Sequence, residues 1–229
     1  MSSIKKFQCG FVILALGVLS HGARGSVLFD NLNTPLGFFN PGTNQVGDQV
    51  VLAGGGAAIT SFKFEYFGSN ILGGAQAQVF FYANDGSLVS GYASPGTQIW
   101  SSGAFTIPDT FNATLMTNAL VSFDLSSAPV TVPADFTWAV VFTGVGAGQS
   151  AGTILSSAAP TTGSDYNDYW LNTGTVATPN WQLMTNATYN IDFLAQFSSV
   201  PEPASFNLLA VGGLIGLAVM LFKRFLARA

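Results

Sequence analysis

The chain has 229 residues, of which 48% are hydrophobic and only 8% charged, with a formal net charge of −4. Six of its seven cations lie before residue 26 or after residue 199. The stretch between, ~174 residues long, holds one cation, Lys63, against ten acids, a formal charge of −9. Such a balance excludes the basic patch that nucleic acid or an anionic lipid surface requires, and the length suffices to bury one substantial core.

At the N-terminus, Lys5 and Lys6 precede an apolar run over 9–19, and small residues follow up to Ala23-Arg24-Gly25. This is the three-part pattern of a secretory signal peptide, so residues 1–25 are expected to be removed by a signal peptidase after passage through the general secretion machinery. Ala23 and Gly25 supply the small side chains, and Ser26 is the expected first mature residue. Removal would take away the sole cysteine, Cys9, and the sole histidine, His21. The exported chain could then form no disulfide, no Ser-His-Asp or Cys-His catalytic site and no ordinary zinc site.

From 26 to 199 the dominant signal is period two. Phe62, Phe64 and Tyr66 alternate with Ser61, Lys63 and Glu65; Phe136, Trp138, Val140 and Phe142 repeat the pattern. Tyr189, Ile191, Phe193, Ala195 and Phe197 do so again, opposite Asn190, Asp192 and Gln196. Period two predicts strands with one buried and one solvated face. Shorter strands are expected at 27–32, 46–53, 76–83, 98–107, 120–125 and 168–172. Asn84-Asp85-Gly86 suits a hairpin turn, Pro129, Pro133 and Pro160 suit edges and loops, and 144–152 reads as a flexible loop. No amphipathic helix is evident. The expectation is a single all-β domain over 26–199, an antiparallel β-sandwich of jelly-roll-like form.

Within that domain a Ser-Lys catalytic pair would need Lys63, which the alternation places on a wet face. Asp165, Asn167 and Asp168 form the best oxygen cluster for calcium, without EF-hand spacing, and read as a polar loop. The expectation is no metal, no cofactor and no enzymatic activity. Tyr166, Asp168, Tyr169 and Trp170, with Asn167 and Asn172, have the mixed aromatic and polar composition of a sugar site. Trp100, Trp138 and Trp181 are further candidates, against the plain alternative that alternating aromatics form the core.

The C-terminal stretch begins Val200-Pro201-Glu202-Pro203. Nineteen uncharged residues follow over 204–222, then a basic end, 223–229, with Lys223, Arg224 and Arg228. A bilayer-spanning helix needs ~20 apolar residues, and basic flanks stay cytoplasmic. A Pro-Glu-Pro motif, one transmembrane span and a terminal basic cluster in this order resemble the PEP-CTERM sorting signal of bacterial exported proteins, whose tail is also labelled an ice-binding protein C-terminal domain. The resemblance covers residues 200–229. It implies recognition by an exosortase, transient membrane anchoring, and release to the cell envelope or an extracellular exopolysaccharide matrix. The 26–199 stretch also loosely resembles ectodomains that precede such tails, at Val27-Leu28-Phe29-Asp30-Asn31, Gly47-Asp48-Gln49-Val50 and Phe136-Thr137-Trp138. The expected function is that of an exported, non-enzymatic envelope or matrix protein. The alternative is a carbohydrate-binding module in the same place.

Overall fold

The structure, a computed structural model, describes residues 25–32, 35–110, 117–185 and 191–199. All regular structure there is β. In chain order the strands are β1 (Ser26–Asp30), β2 (Pro35–Phe39), β3 (Gln45–Val51), β4 (Ala57–Ile59), β5 (Ser61–Ser69) and β6 (Gln76–Ala83). A short hairpin, β7 (Leu88–Val89) and β8 (Tyr92–Ala93), leads to β9 (Gln98–Thr106), β10 (Thr117–Asp124), β11 (Val130–Val132) and β12 (Asp135–Thr143). The chain continues through β13 (Ser150–Ser156), β14 (Ser164–Asp165), β15 (Asp168–Asn172), β16 (Trp181–Thr185) and β17 (Ala195–Ser199).

Two antiparallel sheets carry the fold. One runs β1-β17-β5-β13-β2, with β10 on the other side of β5; the second runs β16-β15-β3-β12-β6-β9, with β14 on β3. The alternation in β5 does what period two requires: Phe62, Phe64 and Tyr66 are buried while Ser61, Lys63 and Glu65 are only half-buried. Their rings meet the facing sheet directly. Phe62 packs edge-on against Phe81 at 5.2 Å, Phe64 tilts against Trp138 at 5.7 Å and Phe136 meets Phe197 at 5.1 Å. Aromatic pairs in such offset and edge geometries contribute ~0.5–1.5 kcal/mol each beyond the area they bury. The core is therefore one body of rings shared by both sheets.

In three places the structure departs from the expected pattern. β3 and β12 are buried on both faces, because a second apolar cluster of Phe80, Tyr82, Ala139, Val141, Trp170 and Trp181 covers the outside of their sheet. The loop expected at 144–152 is the second departure, since Ser150, Ala151 and Gly152 are the first rungs of β13. The Gly/Ser/Ala composition that mimics a flexible loop has a packing cause. A Cβ on Gly152 would run into the Phe39 carbonyl of β2 and stand 2.7 Å from the Phe67 ring, so only glycine lets these strands close.

The alternation expected over 189–197 also breaks. Ala195–Ser199 joins the ladder, whereas residues 191–194 leave it, touching β13 through an isolated Leu155–Phe193 bridge. The Ser156 N–H donates to the Asp192 carbonyl at 2.7 Å and the Leu194 N–H to the Ile154 carbonyl at 3.0 Å. Asp192, expected on a solvated face, is consequently 0% exposed. Tyr189 and Asn190 lie outside the described residues.

Candidate functional site

The detour at 191–194 carries a carboxylate into the interior, where three others await it. Asp48 sits in the middle of β3 on the same face as Val46 and Val50, opposite Trp138 of β12, and is 0% exposed. Asp165 of β14 pairs with Val50, two positions along the same face, and Asp168 opens β15 on the same edge of β3. One carboxylate oxygen from each of Asp48, Asp165 and Asp192 lies within 4.8 Å of the other two.

Neighbouring groups satisfy this cluster only in part. The Phe193 N–H donates to Asp48 Oδ2 at 2.8 Å. Asp48 Oδ1, Asp165 Oδ2 and Asp168 Oδ1 are buried without a hydrogen-bond partner among the described residues. Burial is the main force pushing Asp48 well above the usual carboxylate range. The charges of Asp192, Asp165 and Asp168 push the same way, against the Phe193 amide. Burial likewise raises Asp165 to about 6, opposed by its own backbone amide and the Asn31 side chain, and raises Asp168. Lys63, the only basic residue between 26 and 199, points away from the core side of β5 and supplies no counter-charge here.

Phe193 is the anchor of the arrangement. Asn31 donates to its carbonyl at 3.2 Å and accepts from the Ala195 N–H at 2.7 Å, and Trp138 meets its ring edge-on at 6.2 Å. The segments 27–31, 47–50 and 136–138 thus converge on one residue. What sequence reasoning missed is that Asp48 and Asp192 point inward.

The sugar-site candidates do not form a platform. Tyr169 and Trp170 are consecutive on β15 and point to opposite sides of the sheet. Tyr169 packs on Phe39 and Phe193 in the main core, and Trp170, 0% exposed, lies in the outer cluster with Trp181. Tyr166 is exposed and Asp168 belongs with the carboxylates. Trp138 and Trp181 are buried, and Trp100 packs between Phe81 and Phe123. The polar loop read at 165–168 is corrected in part: Asn167 is exposed, whereas Asp165 turns inward. Ser26 begins β1 beside an exposed Gly25. Ala23, Val200 to Pro203 and Lys223, Arg224 and Arg228 lie outside the described residues, as does the expected span at 204–222. Among the described residues no helix is long and apolar enough to cross a membrane.

No protein-family model matches the chain, and no curated protein sequence matches it. Among solved structures, one described as infectious bursal disease virus, Gt strain, is similar at 14% identity with a TM-score of 0.25. The match covers 77% of this chain and 36% of the other, so the chain spans about a third of the length of that relative.

Proposed function

We propose that this is an exported, non-enzymatic protein of the cell envelope or extracellular matrix. Its domain is a jelly-roll-like β-sandwich, delivered by an N-terminal signal peptide and sorted through its C-terminal tail by an exosortase. The observation that carries the reading is the order of the tail: Val200-Pro201-Glu202-Pro203, nineteen uncharged residues, then Lys223, Arg224 and Arg228. Among the described residues the first strand begins at Ser26 and the last ends at Ser199, so cleavage before Ser26 or beyond Ser199 would cut none of the described ladders. The non-enzymatic reading is supported by the lack of His and Cys between 26 and 199. The burial of Tyr169 and Trp170 weakens the carbohydrate-binding alternative.

The test is a change of Pro201, Glu202 and Pro203 to alanine in the native host. Two prolines hold an extended segment without N–H donors, a shape suited to an enzyme cleft, and a passive anchor needs none of it. Insertion should persist, because the 204–222 stretch is untouched, while the uncut protein accumulates in the membrane. Processing identical to that of the wild type would replace the sorting reading with a plain anchor.

A further inference from the structure

We propose that Asp48, Asp165 and Asp192, with Asp168 beside them, form a binding site for one hard divalent cation of the calcium class. The geometry suits it. Calcium takes oxygen ligands at about 2.4 Å, so two oxygens on one ion stand at most ~4.8 Å apart. The three carboxylates meet that limit with no rearrangement. The donor set is all oxygen, and neither His nor Cys occurs between 26 and 199, so softer metals lack the ligands they prefer.

An independent feature points to a missing partner. Asp48 is 0% exposed and its Oδ1 has no hydrogen-bond donor among the described residues, while its Oδ2 is fixed by the Phe193 amide. That amide orients the carboxylate and leaves Oδ1 for an ion, as an outer-shell donor does for a metal ligand. A buried charge needs a pair, and the domain's single cation is on another face. Among the described residues no cation neutralises the group, which leaves protons or an ion from solution. Asp165 and Asp168 are partly exposed, so the cluster lies close to solvent. The ligands come from three separate stretches of chain, which is why no loop motif announces them.

The experiment uses the full chain in detergent, stripped with a chelator and titrated with calcium chloride. Thermal unfolding and terbium luminescence are recorded together, with Trp138, the cross-strand neighbour of Asp48, as the sensitiser. Wild type should bind with a dissociation constant at or below about 10⁻³ M, the weak end for extracellular modules. At roughly a hundred times that constant its Tm should rise by ~5–10 °C. Asp48→Asn and Asp165→Asn should lose this rise and the competable terbium signal without a lower metal-free Tm; the second, nearer the surface, covers misfolding of the first. Asp85→Asn, an exposed acid, should keep both. Calcium up to about 10 mM leaving wild type unmoved, ten times the weakest expected constant, would overturn the proposal. So would an equal rise in both cluster variants, which would mark diffuse binding to an acidic surface.

Discussion

Replacing Phe62 by alanine tests whether the shared ring core is what holds the two sheets together. Phe62 is 0% exposed, and its ring meets those of Phe64, Phe81, Phe123, Trp138 and Phe197 at 4.6–6.0 Å. Truncating a buried Phe costs ~3–5 kcal/mol, more where neighbours cannot collapse into the gap. The neighbours here are rings held by their own strands, so the upper half of that range is expected. With a urea slope of ~2 kcal/mol per M, the midpoint should fall by about 2 M. Phe38→Ala is the comparison: Phe38 is 45% exposed and meets only Phe67 among the described rings, at 5.0 Å. Its cost should stay below ~1 kcal/mol, as for most partly exposed sites. Equal midpoint shifts for the two variants, measured by urea titration in one calcium-containing buffer, would show that the ring core is not the cooperative unit.

Two further outcomes follow from particular contacts. Asp85 accepts from the Thr97 N–H at 2.6 Å and the Thr97 hydroxyl at 2.7 Å, and these bonds hold its carboxyl below the usual value. A lowered folded value means that the contribution is present above the unfolded value and is lost as pH falls through the folded one. Amide exchange of Gly86 and Gly96 should therefore accelerate at the acid end, and an Asp85→Asn variant should show no such step. Trp170→Ala should cost ~3–5 kcal/mol of stability, whereas Tyr166→Ala should be near neutral in thermal unfolding. Polysaccharide retention lost in a fully folded Tyr166→Ala would instead revive a sugar site at that loop.

Much of the ladder was legible because the alternation is read twice, once in the apolar positions and once in the turns between them. The stretches 76–83 and 168–172 coincide with β6 and β15 to the residue. Where both faces are covered, as in β12, period two still locates the strand but misassigns Thr137, Ala139 and Val141 to solvent. β13 was unreadable for the opposite reason: a close backbone approach demands Gly152, and glycine reads as a loop. The carboxylates failed on orientation. Nothing local separates Asp48 from the other acids, and Asp192 sits where a continued strand would face water. Only the departure of 191–194 from the ladder turns it inward.

The pairing of Ser26 with Ser199, whose hydroxyls are 3.2 Å apart, places both ends of the fold at one corner. The two ends are not equivalent mechanically. Among the described strands β1 ladders with β17, and its other side has an isolated bridge from Asp30 to Thr162, whereas β17 has β1 on one side and β5 on the other. A pull on Ser26 is resisted by the β17 rungs and by a few loop bonds from Leu28 and Asp30 to Ala53, Thr161 and Thr162; a pull on Ser199 along its strand loads two ladders in shear at once. The end of the fold that continues into residues 200–229 is thus the better handle. Traction through it is shared at once with β5, the longest-paired strand of the sheet and the carrier of Phe62, Phe64 and Tyr66.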